Sequence, residues 1–188
     1  MILCDSEIWA ALKHGQIKID PEPSLDDYTT TAVDLHLGET DFKRWKKTGG
    51  GVSLTINPSQ KGFYRDAANF LEDVPRESDG SVVIQPNEFL LALTKERVEL
   101  PEQSRVAARV EGKSSLARIG LVIHLTAPTI HSGFKGNITL EIKNHGDFPI
   151  KLCPNMPVCQ LIFESVFGTP SATMRGMFQE QTSVKGKA

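Results

Sequence analysis

Cysteine is scarce in this sequence: Cys4, Cys153 and Cys159 are the only three in 188 residues. An odd, scattered set argues against a disulfide framework and suits a reducing, cytoplasmic setting. Aromatic residues make up 7% of the chain, and they do not interleave with a basic stripe, so a nucleic-acid surface is not expected. The formal net charge of −2 gives no general pull toward nucleic acid or an acidic membrane. No apolar run approaches the roughly 20 residues needed to span a bilayer. Met1 to Ser6 lacks the basic and apolar regions of a secretory leader. Internal repeats and low-complexity tracts are also missing.

What is present is one domain's worth of chain. A domain of this length buries about 70% of its unfolded surface and folds without staples. A hydrophobic content of 39% and a charged content of 23% are those of a soluble globular protein. One helix is expected near the start, capped by Asp5 or Ser6, with Ile8, Trp9 and Leu12 as its apolar stripe and Gly15 at its end. Strand signals dominate after that. Val33, Leu35 and Leu37 alternate with Asp34 and His36. Segments 82–84, 89–93, 105–110, 121–125, 138–142 and 158–163 read as further strands, punctuated by proline and glycine. Many short strands between turns predict a mainly β fold, a distorted barrel or jelly roll. The alternation of strand and helix that builds a parallel sheet is missing. Residues 57–80 are polar and interrupted, and read as a long surface excursion. The β domain is assigned to residues 1–168, and residues 169–188 form a tail.

Two segments carry the chemistry. In the first, Glu111 to Arg118, a glycine, a lysine, two serines and a helix start lie together. Helix N-terminal N–H groups favour an anion, so the segment reads as a phosphate cradle or as a plainly capped surface helix. It is not a P-loop, because the order glycine, four residues, Gly-Lys-Ser/Thr is absent. In the second, Ile138, Leu140 and Ile142 share one strand face and Thr139 and Glu141 the other. Glu141 is then either solvated or aimed into a cleft. In a cleft, desolvation raises its pKa and makes it a usable base near neutral pH.

Taken together, Lys113-Ser114-Ser115-Leu116-Ala117-Arg118, Thr126-Ala127 and Leu140-Glu141 resemble the dCTP deaminases of the dCTP deaminase/dUTPase superfamily. Ile19-Asp20-Pro21, Val33-Asp34, Leu37-Gly38, Glu99-Leu100-Pro101 and Pro154 to Leu161 extend the resemblance, which covers roughly residues 1–168. The resemblance implies a dUTPase-like β subunit assembled as a homotrimer, with active sites between subunits and the tail closing over the nucleotide. It also implies Mg²⁺ bound mainly through the triphosphate, without catalytic zinc. It makes Glu141 the general base for hydrolysis of dCTP to dUTP and ammonia. Ser114 and the backbone at Thr126 and Ala127 position water and the base edge, and Arg118 sits near Glu141. Lys113 and Ser115 hold phosphates. Thr139, Leu140, Phe178 and Gln181 complete the substrate contacts, with His131 at the sugar.

The absence of zinc has independent support, since no histidine has glutamate two residues on and Cys153 and Cys159 are too far apart for Cys-x-x-Cys. Three departures from the family pattern stand out: one at position 131, one in the tail motif, and a short stretch before that motif, where a tyrosine usual in the family has no counterpart between Pro170 and Met177. Ile130-His131 replaces an Ile-Asp pair whose aspartate activates water in the dUTPase branch. Histidine is a poor stand-in for an acceptor-only carboxylate, which disfavours dUTP hydrolysis and the bifunctional conversion of dCTP to dUMP. A solvent-facing loop histidine is the alternative. In the tail, Met177-Phe178-Gln179-Glu180-Gln181 stands where the family has Lys-Tyr-x-x-Gln, so a phosphate-binding charge is lost. Arg175 is a candidate replacement.

Overall fold

The computed structural model describes residues 1–47, 55–172 and 178–186. Its strands are antiparallel and fall into two main sheets and a small ribbon. The larger sheet runs β4 (Leu71–Asp73), β3 (Lys43–Trp45), β6 (Phe89–Glu99), β10 (Lys135–Asn144) and β8 (Leu121–Val122), with β1 (Lys18–Asp20) also paired to β6. The second runs β2 (Val33–His36), β12 (Pro157–Ser165), β7 (Val106–Gly112) and β9 (Thr129–Ile130). β5 (Val82–Ile84) and β11 (Ile150–Leu152) form the ribbon. One core, with Leu35, Leu90, Leu140 and Phe163 fully buried, draws on both sheets. The strands form a jelly-roll-like sandwich and do not close into a barrel.

The period-two pattern is realised along β10, where Ile138, Leu140, Ile142 and Asn144 are buried and the residues between them are partly exposed. Asn144 tolerates complete burial because its side chain is satisfied. It donates to the carbonyls of Ile84 and Phe148 and accepts from the Gly146 N–H. β6 is buried on both faces between Leu90 and Thr94. Its Leu90, Ala92 and Val98 enter the main core, while Leu91 and Leu93 join Ala68, Leu71 and Val184 in a second cluster. The β6–β10 register shifts at one point, where three residues of β6 (Thr94 to Glu96) lie opposite Ile138 alone. The Asn137 amide fills this bulge, donating to the carbonyls of Thr94, Lys95 and Glu96 at 3.0, 3.2 and 3.3 Å.

Helix α1 (Asp5–Lys13) is where expected, but Cys4 occupies the capping position, and Ile8 and Ala11 are its buried residues. Trp9 is 59% exposed, so it lies outside the core stripe. The strand expected over 121–125 is only Leu121–Val122. Residues 57–80 are more than a surface excursion. They contain α2 (Phe63–Ala67), a 3₁₀ turn over Ala68–Phe70 and β4, with Ala67, Ala68 and Leu71 buried. Ala68 and Leu71, with Tyr64 packed against them, secure a segment whose overall composition is polar, while Phe63 and Phe70 stay exposed.

The single-turn helix α3 (Ser114–Ala117) is followed by a turn through Gly120, whose φ is +84°. There the chain crosses the turn after β10 so closely that a Cβ on Gly120 would sit 2.4 Å from the Gly146 nitrogen. Gly120→Ala combines left-handed strain with a backbone clash. It is expected to cost more than about 1 kcal/mol, read as a lowered Tm in thermal denaturation.

Candidate active site

The strand alternation that buries Leu140 turns Glu141 and Thr139 to the outer face of the larger sheet, opposite Leu91 and Leu93 of β6. A cavity of about 380 Å³ opens there, within the range of small-molecule sites. Its floor is Thr139, Glu141 and Leu91. One wall is the turn from His124 through Thr126, Ala127 and Pro128 to Ile130. The opposite wall is aromatic, formed by Trp45, Tyr64 and Phe89, and the C-terminal segment adds Phe178 and Gln181.

Glu141 is half-buried, and its pKa lies above the ordinary carboxylate value. Desolvation is the main cause. The Leu125 N–H, which donates to Glu141 Oε2 at 3.3 Å, and nearby His124 oppose the shift. Among the described residues, three buried polar atoms of the cavity lining have no hydrogen-bond partner: His124 Nδ1, Thr139 Oγ1 and Gln181 Oε1. Unpaired buried atoms are costly, and a bound ligand with complementary donors and acceptors removes that cost. Ala127 is held at φ +61°, a strained conformation for a residue with a side chain, of the kind that collects at functional sites.

The C-terminal segment docks on β10. The Asn137 N–H donates to the Gln181 carbonyl at 3.1 Å, and Gln181 Nε2 donates to the Asn137 carbonyl at 2.6 Å. Gln179 bridges the Lys135 N–H and the Gly133 carbonyl. Gly136 lies directly beneath, and a Cβ there would approach the Gln181 nitrogen to 3.0 Å.

Of the residues singled out in the sequence, Glu141, Thr139, Thr126, Ala127, Phe178 and Gln181 meet at this cavity. Leu140 does not, because its side chain is fully buried in the main core. Ser114, Ser115 and Arg118 are exposed on α3 and outside the cavity wall. Lys113 is also outside it, paired to Asp34 of β2. His131 is exposed and does not line the cavity. Met177 and Arg175 lie outside the described residues. His124, Tyr64 and Trp45 are site residues that the sequence did not single out. Among the described residues, no three His, Cys, Asp or Glu side chains are grouped to hold a metal ion, and no helix is long and apolar enough to cross a membrane.

A half-buried carboxylate among orphaned polar atoms, on the outer face of a jelly-roll sheet, is the arrangement of an enzyme pocket. The dCTP deaminase-like family model matches residues 2–166, and the chain belongs to that family. It is 40% identical over 166 residues to the dUMP-forming dCTP deaminase of Methanosphaera stadtmanae, covering 88% of this chain and 79% of that one. Identity to the dUMP-forming enzyme of Methanothermobacter thermautotrophicus is 38%, over 97% of this chain and 92% of the relative. The dCTP deaminase of Rhodospirillum rubrum is 37% identical, over 91% and 86%. The crystal structure of the 2′-deoxycytidine 5′-triphosphate deaminase of Agrobacterium tumefaciens shares the fold with a TM-score of 0.62 at 22% identity, covering 86% of this chain and 47% of that one. The mainly β, jelly-roll fold expected from the sequence is the fold of this family.

Replacing Glu141 by glutamine separates its charge from its shape. The raised pKa means the ionised carboxylate is penalised in the folded state, so removing the charge relieves a cost that builds as pH rises through the ordinary glutamate value and is complete above the raised one. Glu141→Gln is therefore expected to raise Tm at neutral pH. The gain should vanish as pH falls below the ordinary glutamate range of about 4.3, measured by thermal denaturation across pH.

Proposed function

We propose that this chain hydrolyses dCTP to dUTP and ammonia, with Glu141 as the general base. The observation that carries the reading is the half-buried Glu141 at the floor of a cavity lined by unpaired polar atoms. The names of the relatives support the substrate. In this mechanism water adds to C4 of cytosine while Glu141 accepts its proton. Glu141 hands that proton to ring N3 to complete the adduct, then carries the adduct's hydroxyl proton to the amino group; the C4–N bond breaks, and ammonia leaves as the C4 carbonyl forms. Thr139 Oγ1, His124 Nδ1 and Gln181 Oε1 are the groups available to the base edge, and the strained Ala127 turn shapes the pocket beside it.

The functional unit is proposed to be a homotrimer with sites between subunits. Within one chain, Ser114 and Arg118 on α3 are absent from the Glu141 cavity. A neighbouring subunit can supply them, with Arg118 polarising the substrate and Lys113 and Ser115 reaching phosphates. Residues 1–168 form the catalytic body, and the tail serves as a cover through Phe178 and Gln181. Glu141 is the only carboxylate among the described residues lining the cavity, a donor set that fits Mg²⁺ held chiefly by the triphosphate. The ion would screen phosphate charge and help fix the nucleotide.

The names of the archaeal relatives favour a second reading, in which dUMP is the final product. The exposed His131 in place of an aspartate disfavours it. Incubation with Mg²⁺ and dCTP, dUTP or CTP, with ammonia and pyrophosphate assayed separately, distinguishes the two. Ammonia from dCTP without pyrophosphate is expected, and ammonia together with pyrophosphate from dCTP would establish the second reading. Glu141→Gln should lower turnover by about 10²–10⁴-fold. The acid limb of kcat/KM should lie above the ordinary carboxylate range, because activity requires the ionised form of a group whose pKa is raised. Native turnover by folded Glu141→Gln would rule out its role as base. Sites shared between subunits also predict complementation. Mixed oligomers of Arg118→Ala and Glu141→Gln chains should regain activity that neither variant has alone, and persistent inactivity after verified subunit exchange would count against shared sites.

A further inference from the structure

Val184 is held from three directions. Its side chain is fully buried against Ala68, Leu71, Leu91 and Leu93. Its N–H donates to Asp41 Oδ2 at 2.7 Å, and its carbonyl accepts from the Tyr64 hydroxyl at 2.6 Å. Asp41 takes up this role at φ +65° with Lys43 3.5 Å from its other oxygen. Tyr64 also meets the other end of the segment, since its ring packs edge-on against Phe178 with centroids 5.3 Å apart and planes at 72°. One side chain of α2 thus touches both ends of the stretch Phe178–Val184. That stretch carries the two C-terminal residues that line the Glu141 cavity.

Gln181 is three residues from Val184, a separation of at most about 10 Å along the chain. Fixing Val184 therefore restricts where Gln181 presents its unpaired Oε1. The Tyr64 hydroxyl is a durable donor, because burial and the negative charges of Glu141 and Asp41 raise its pKa above the ordinary phenol value. The contact joins the segment to the sheet face behind Glu141.

We propose that Tyr64 is a positioning residue of the nucleotide site, which with Asp41 clamps Val184 and so sets Phe178 and Gln181 in the Glu141 cavity. The proposal deepens the dCTP deaminase reading and rests on it. Its chemical content is specific to α2, a segment outside the motifs that carry the family resemblance.

The test uses the full chain. Tyr64→Phe removes the hydroxyl and keeps the ring, and Asp41→Gly removes the carboxylate while tolerating the positive φ. Each is expected to speed hydrogen exchange at the Val184 amide and to raise KM for dCTP by about 2- to 10-fold, the loss of one hydrogen bond. Because the segment acts through binding, kcat should stay within about twofold. The combined effect should fall short of the product of the singles, since both act on one residue. Tyr64→Leu, which also loses the ring contact with Phe178, should be worse than Tyr64→Phe. Unchanged exchange at Val184 and unchanged KM in both single variants would overturn the proposal, as would a lowered Tm with native KM and exchange. A wild-type chain that released no ammonia from dCTP would remove the functional reading, while exchange at Val184 would still decide whether Tyr64 holds the segment.

Discussion

Burial of Ile138, Leu140 and Ile142 determines where Glu141 points. Three aliphatic side chains at alternate positions of β10 are committed to the core, each stabilising the fold by about 1.5–3 kcal/mol. A register slip of one residue would expose all three and bury Glu141 in their place. The orientation of the carboxylate is therefore enforced by hydrophobic burial rather than by a dedicated polar contact, and the 3.3 Å bond from Leu125 is a minor addition. The shift at the Thr94–Glu96 bulge preserves this arrangement because it adds two residues on the β6 side. An even shift leaves every side chain on its original face.

The outer face of the larger sheet then needs a cover. On that side Leu91 and Leu93 are apolar, and left to water they would form an exposed patch beside a carboxylate. The α2–β4 segment and the C-terminal stretch around Val184 cover them, and the cavity is the space these two covers leave above Glu141. The same desolvation that burial of Leu91 and Leu93 demands also raises the Glu141 pKa. Packing and acid–base tuning share one cause.

Much of this was legible in the sequence because it rests on local periodicity. The alternation at 138–142 located both the strand and the outward face of Glu141, and the Lys113–Arg118 pattern located a helix of one turn. What escaped lacks a periodic signal. β3 and β4 have only three residues each, too few to show alternation, and the pairing of β3 with β4 and with β6 is a tertiary event. Tyr64 sits among prolines, glycines and charges, and its place in the cavity follows from where α2 lands. Trp9 looked like core by type, yet the helix phase set by Ile8 and Ala11 leaves it outside. The separation of α3 from Glu141 within one chain could not be read from motif order, because order along a sequence does not say which groups meet in space.

Gly136 illustrates how a strand residue can be dictated by something other than the strand. Its neighbour in space is the backbone of Gln181, and a methyl group there would press on that backbone at 3.0–3.2 Å. The tolerated volume at position 136 is thus defined by the thickness of a peptide unit more than forty residues downstream. In comparisons among relatives, a side chain at this position would mark lineages whose C-terminal segment takes another route. The smallest residue of β10 is in that sense a record of where the far end of the chain lies.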